Sequence, residues 1–347
     1  MGLFPWEVAY VAYTGRAAQV LRSKGCTTAI TAHKLLYQSK FSDKTGKFYN
    51  YPRKTLEKPY KLIVVDEVSM LPLDMWNLLL SHKIPVIALG DPGQLPVISG
   101  KPNGILAHPH IFLDEVMRQA KDNEILRLSM DIRDGKPLIL FRGNDVRIVP
   151  QEELNAGGIW KWPDQILVGK NLTRNTINDL MRKNLFHRKS SFPEEGDKII
   201  CLHNDWEVLN DNEDALVNGL TGTIHNIRAQ VPSNEVVAET FCADFLPDYE
   251  GATMFTGLEM DTCIFTEHEA GKNKYNAKLP VGLEYMPHYF DYGYCITTHK
   301  SQGSEYDRVL VLEEFLRGQS KADHVRWLYT AATRAAKKLI IVKDYRL

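Results

Sequence analysis

Apolar positions along the chain fall into two alternating patterns. Short β-branched runs, Ala9 to Tyr13, Leu62 to Val65, Pro85 to Leu89, Ile166 to Val168, Arg308 to Leu312 and Leu339 to Val342, end in polar or glycine-containing turns, as buried parallel strands do. Between them apolar residues recur at helical spacing: Ile125, Leu128 and Ile132, closed by Gly135 with Pro137 beyond; Ile177, Leu180, Met181 and Leu185; and Val325, Leu328, Ala332 and Ala335. Strand and helix alternate, which predicts a doubly wound α/β fold with parallel sheets.

Two stretches break the alternation. Residues 38–58, with Phe41, Gly46, Phe48, Tyr49 and Tyr51 among lysines, read as a hairpin-like insertion. Residues 199–285 are poor in helical period and rich in short strand-like pieces, the pattern of an inserted β-barrel. The expected layout is a first α/β domain over 1–152 carrying the hairpin, a second over 153–198 and 286–347, and the barrel over 199–285. A length of 347 residues accommodates this, since a domain commonly takes roughly 100 to 200 residues.

Composition narrows the class. No apolar run approaches the roughly 18 residues of a membrane span, and Met1 to Trp6 has neither the basic head nor the apolar stretch of a leader, so a cytoplasmic protein is expected. The cysteines, Cys26, Cys201, Cys242, Cys263 and Cys295, are odd in number and never in a CxxC pair, which argues against a disulfide framework and a zinc site. Formal net charge is -1, so any nucleic acid would have to be held by a local groove.

The strongest local signal is the string Leu62 to Met70, LIVVDEVSM, an apolar strand that ends in two adjacent carboxylates. Open α/β sheets bind ligands at that end of a strand. In a nucleoside triphosphatase Asp66 would hold magnesium, usually through its water shell, and Glu67 would polarise the attacking water. The same string also reads as a plain solvated strand end. Downstream, Ile87 to Pro96, IALGDPGQLP, is a second strand closing on a tight turn that exposes Gln94. An amide there can bond both water and a phosphate oxygen, and so report the γ-phosphate.

The DEVSM and GDPGQLP strings, in this order and about this far apart, resemble motifs II and III of superfamily 1 helicases, most closely the RecD and Dda type. The resemblance runs over nearly the whole chain. Ala12 to Ala18, AYTGRAA, resembles motif Ia, and Thr31 to Leu36, TAHKLL, the segment that follows it; by resemblance Thr14, Gly15, Arg16 and His33 line a single-strand track. Leu113 to Gln119 resembles the motif IV region, Tyr294 to Glu305 motif V and Leu328 to Arg334 motif VI. This implies Arg118 and Arg334 as arginine fingers, Gly303 and Glu305 near the nucleotide, and Thr298, His299 and Ser301 beside the DNA backbone. Taken singly, 298–303 also reads as a strand-to-helix turn and Arg334 as a surface ion pair.

The resemblance implies two RecA-like domains, ATP and Mg2+ as cofactors, and single-stranded DNA and a DNA fork as partners. It further implies 5′ to 3′ movement by a monomer working beside other replication or repair proteins. The 38–58 hairpin occupies the slot of the family's strand-separating pin, with Phe41, Phe48 and Tyr49 free to stack on a base or to pack against their own hairpin. The stretch from Gly196 to Ile200 through Asn218 to Thr223 resembles the family's SH3-like insertion.

One element of the family pattern is absent. The GxxGxGK[ST] loop, whose amides cradle phosphates, occurs nowhere in the 347 residues. Gly46-Lys47-Phe48 and Gly271-Lys272-Asn273 lack its spacing and its hydroxyl residue. The expectation is an amino-terminally truncated frame whose missing strand, loop and helix precede Met1, and which turns over little ATP alone. The competing reading is a non-hydrolysing remnant or subunit that grips single-stranded DNA.

Overall fold

The computed structural model describes residues 2–42, 47–96, 100–113, 123–155, 158–212, 214–229, 240–249, 251–266 and 287–347. The first lobe runs through β1 (Val8–Ala12), α1 (Gly15–Ser23), β2 (Ile30–Thr31), α2 (Ala32–Leu36), β3 (Tyr37–Ser42), β4 (Lys47–Pro52), β5 (Leu62–Asp66), α3 (Leu73–Ser81) and β6 (Val86–Ala88). Its parallel sheet has the order β2-β1-β5-β6. Register pairs Ala12 with Asp66 and Val65 with Ala88, bringing the carboxyl ends of three strands level. Val11, Ile63 and Val65 bury against Leu35, Leu36, Met75, Trp76 and Leu79, the apolar faces of α2 and α3. β6 ends the sheet, and Ile87 and neighbouring Leu89 are exposed. β3 and β4 form the expected antiparallel hairpin, with Phe41 opposite Phe48 and Lys40 opposite Tyr49 in register.

The second lobe starts with α4 (Glu124–Arg133), which stops at Gly135 with φ +74 as the sequence predicts. It continues through β7 (Phe141–Arg142), β8 (Val146–Val149), β9 (Gln165–Val168) and α5 (Asn171–Leu180), which runs on into a π-helical turn, Met181–Leu185. The insertion follows: β10 (Lys198–Cys201), β11 (Asp205–Leu209), β12 (Ala215–Leu216), β13 (Thr221–Ala229), β14 (Thr240–Pro247), β15 (Phe255–Asp261), α6 (Cys263–Thr266) and β16 (Phe290–Tyr292). The chain closes with β17 (Cys295–Thr297), β18 (Tyr306–Leu312), α7 (Lys321–Ala332) and β19 (Ala335–Val342).

The second sheet has the order β17-β9-β18-β19-β8-β7, parallel throughout except for the terminal β7–β8 pair. The insertion is an antiparallel sheet, β15-β14-β13-β10-β16, around Phe241, Phe245, Phe255, Phe265, Phe290 and Tyr292, with β11 and β12 paired apart. Arg182 in the π-helical turn ties it to the lobe: its guanidinium donates to Asp197 and to the Ser190 and Phe192 carbonyls and lies 4.1 Å from the Tyr292 ring centre.

Three boundaries differ from the sequence reading. The seam expected at 152/153 lies earlier, because β7 and β8 (141–149) belong to the second sheet and α4 shares a core with Trp327 and Leu328 of α7. Periodicity identifies an element, but its partner is whichever sheet edge offers a matching register, and Val146 to Val149 find theirs on β19. The insertion's sheet takes in β10 from Lys198 and β16 at 290–292, wider than 199–285. Ala335, expected on the last helix, opens β19. Among the described residues no helix is long and apolar enough to cross a membrane.

Candidate functional site

β5 is a short apolar strand that delivers Asp66 and Glu67 at its carboxyl end. Asp66 turns back to accept the Glu67 amide at 3.0 Å. Glu67 itself adopts left-handed backbone angles, φ 51 and ψ 45, before the short helical turn Val68–Met70. Its Oε2 is buried and has no hydrogen-bond partner among the described residues. Burial pushes its carboxyl above the ordinary glutamate range, the charges of Asp66 and Asp91 push the same way, and Arg334 and Gln94 oppose them.

The turn after β6 is organised by Asp91, an acceptor for the Gly93 amide at 2.8 Å on one oxygen and the Tyr329 hydroxyl at 2.6 Å on the other. The first bond is local and the second crosses from the second lobe. Two more bonds cross there: the Leu95 amide donates to Thr330 Oγ1 at 2.9 Å and the Gln302 amide to the Leu95 carbonyl at 3.0 Å. A side chain at Gly93 would meet the Tyr329 ring at 3.1 Å, so glycine lets the turn lie against α7. These bonds hold Gln94 next to Glu67.

Arg334 comes from the turn between α7 and β19. Buried at 6% exposure, it donates to the carbonyls of Thr330 at 3.1 Å and Ser304 at 3.2 Å. Burial disfavours its charge, while Glu67 of the other lobe, Tyr306 and the exposed Glu305 favour it. Gly303 has φ +76, and a side chain on it would meet Thr14 and Ala17 at 2.9 Å. Glu67 and Arg334 therefore meet across the gap between lobes, with Asp66 and Gln94 beside Glu67, Glu305 beside Arg334, and Gly303 against Thr14 and Ala17. Arg118 lies outside the described residues.

The residues read as a nucleic-acid track divide. Thr14 caps α1 by accepting the Ala17 amide. Gly15 is buried, and a side chain there would sit 2.3 Å from Val217 of the insertion. Arg16 stands 5.1 Å from the Tyr249 ring centre. The insertion thus covers the start of α1. His33 is exposed on α2 between the rings of Tyr13 and Tyr37. Thr298 and Ser301 are fully buried, their hydroxyls directed at the Val168 and Thr298 carbonyls. In this conformation they shape the turn and present no free donor, while His299 between them is half-buried with its charge disfavoured by burial. Of Phe41, Phe48 and Tyr49 only the backbone register is described.

The sequence reading did not assign roles to Asp91, Tyr329, Thr330 or Gln302. Asp91 two residues before Gly93 is an Asx-turn signal that could have been read. The cross-lobe partners could not, because they lie more than 200 positions away.

Comparison with known proteins now bears on this geometry. Residues 3–147 match the AAA domain family, and residues 292–342 match the UvrD-like helicase C-terminal domain family. The ATP-dependent RecD2 DNA helicase of Deinococcus radiodurans is 28% identical over 340 residues, covering 95% of this chain and 42% of that protein. The chain is thus similar to RecD-like helicases over nearly its whole length. The chain spans about two-fifths of that relative's length.

Solved structures agree on the fold. Pif1 helicase from Candida albicans superimposes with a TM-score of 0.50 at 14% identity, covering 99% of this chain and 95% of that one. Pif1 helicase from Bacteroides in complex with ADP-AlF3 and ssDNA does so with a TM-score of 0.50 at 15% identity, over 98% and 83%.

Proposed function

We propose that the chain is the motor body of an ATP-dependent DNA helicase that moves along single-stranded DNA in the 5′ to 3′ sense. The observation that carries this is the meeting across the gap between lobes: Glu67, flanked by Asp66 and Gln94, faces Arg334 of the second lobe. In it Glu67 orients and deprotonates the attacking water, helped by a carboxyl held above its usual range. Gln94 bridges Glu67 and the terminal phosphate. Arg334, and Arg118 from the 114–122 segment, stabilise charge on the transferred group. An arginine supplied across a cleft makes hydrolysis depend on closure, and closure moves one lobe along the strand.

The donor set suits magnesium, a hard cation that prefers oxygen: Asp66 would hold it through its water shell, and the unpartnered Glu67 Oε2 lies in the same gap. Bound Mg2+ would neutralise phosphate charge there.

DNA would run over His33, Arg16 and His299, with the insertion as a roof above α1. Contact by Thr298 or Ser301 would require the 298–303 turn to open. The β3–β4 hairpin, with Phe41, Phe48 and Tyr49, would part the strands at the fork.

A second reading is favoured by the absence of any GxxGxGK[ST] string and by the open β6 edge with Ile87 and Leu89 exposed. On that reading these 347 residues bind single strands, and the phosphate cradle comes from outside them. Two measurements separate the readings from failure. Fluorescence anisotropy should show single-strand binding that weakens steeply with salt, and its absence overturns both. Phosphate release by the chain alone should be negligible; steady release abolished by Glu67→Gln would overturn the need for an outside cradle. In a chain extended by a GxxGxGKT strand, loop and helix, DNA-stimulated release should appear and fall about a thousandfold in Arg334→Ala.

A further inference from the structure

Away from the interlobe gap, three side chains converge where the insertion meets the second lobe. His203 follows β10, Asp205 opens β11, and His288 precedes β16. His203 Nε2 lies 3.3 Å from His288 Nδ1, and Asp205 Oδ2 lies 3.8 Å from the same His288 atom. One donor atom from each of the three fits within a 4.8 Å span. We propose that His203, Asp205 and His288 form a binding site for a first-row divalent cation of the zinc type, which fastens the two ends of the insertion together and steadies its contact with α1.

The distances suit such an ion. Tetrahedral zinc with Zn–N bonds of about 2.0–2.1 Å holds its ligand atoms roughly 3.3 Å apart. The two nitrogens already stand at that separation; the carboxylate oxygen, 3.8 Å from His288 Nδ1 and within 4.8 Å of His203, must move in toward both. Three protein ligands leave a fourth position for water.

The backbone is built to hold the donors. The His288 amide donates to the Glu259 carbonyl at 2.7 Å and its carbonyl accepts the Asp261 amide at 3.0 Å, so it is pinned to β15. Asp205 Oδ1 accepts the Val208 amide at 3.3 Å, which turns Oδ2 to His288.

The Tyr289 amide donates to His203 Nδ1 at 3.3 Å. His203 therefore carries its proton on Nε2 and donates it to His288 Nδ1. Asp205 Oδ2 faces the same His288 nitrogen at 3.8 Å. On binding, the His203 proton moves from Nε2 to Nδ1, the long Tyr289 contact is given up, and both rings tilt their lone pairs toward the ion. No proton is released.

The consequence reaches the first lobe through Asn204, which lies between two of the ligands. Its Oδ1 accepts the Asn218 amide at 2.9 Å and lies 3.0 Å from the place a side chain would take at Gly15. A cation fixing 203–205 therefore fixes the seat of α1's first turn. Two histidines 85 residues apart leave no spacing signature, which is why cysteine arithmetic on the sequence missed the site.

The test is titration of the chelator-stripped chain with Zn2+ by calorimetry, and with Co2+ by visible absorption. The expected result is one ion per chain, a tetrahedral Co2+ spectrum and a raised melting temperature. Asp205→Asn and His203→Gln, both at partly exposed positions, should each weaken Zn2+ about tenfold or more while the metal-free melting temperature stays near that of the parent. Failure to bind one ion, or binding that both variants leave unchanged, overturns the proposal. Neither result bears on the motor reading.

Discussion

Glu67 sits in a backbone conformation and an environment that both cost free energy. Left-handed angles on a residue with a side chain cost about 1–2 kcal/mol, and its carboxyl is buried beside Asp66 and Asp91. Strain of this kind collects at functional sites. The raised carboxyl has a defined stability signature. A group whose folded pKa lies above its unfolded one adds stability below the unfolded value, and that contribution is lost as pH rises through the folded value. At pH 7 to 8 ionised Glu67 therefore works against folding. Glu67→Gln should melt a few degrees higher than the parent there, and the difference should vanish below the ordinary glutamate pKa of about 4.3. Melting curves from pH 4 to 8 check this; a gain that persists unchanged at pH 4 has another origin. The carboxylate pair was legible in the sequence because LIVVDE is too short and too apolar for anything but a strand with a polar tip. Glu67's strain was not, since backbone angles of a non-glycine residue leave no mark in composition.

At the scale of elements, glycine decides how closely α1 meets the insertion. A methyl at Gly15 would fall 2.3 Å from Val217 Cβ and 2.6 Å from its Cγ1, so the helix or β12's following turn must give. Gly15→Ala should cost about 1–3 kcal/mol in urea denaturation. In the same chain Val217→Ala, which removes Cγ1 but keeps Cβ, should recover only a small part of that loss. If Gly15→Ala is neutral, α1 and the insertion do not pack this way in solution. The strands and helices themselves were readable from periodicity: β1, β5, β9, β18 and α4 fall within a few residues of the expected runs. Their partners were less so. β8 was assigned to the wrong lobe because an alternating apolar strand reads the same on either sheet, and only the open edge of β19 selects it.

For the whole molecule, the hydrogen bonds between lobes among the described residues gather at one place. Tyr329 to Asp91, Leu95 to Thr330 and Gln302 to Leu95 all meet the turn that carries Gln94, and Gly303 closes on Thr14 and Ala17 beside them. On the proposed function, a ligand that changes this turn would change the angle between lobes, so that a local phosphate bond drives movement of the whole. Everything rests on Glu67 and Arg334 sharing the gap in solution. A double-mutant cycle in stability measures that directly. Glu67→Gln should stabilise the fold more in an Arg334→Gln chain than in the parent, because the arginine is the charge that makes ionised Glu67 tolerable. The account predicts a coupling of about 0.5 kcal/mol or more. Strict additivity, within about 0.3 kcal/mol, would mean that the two side chains do not face each other, and would contradict it.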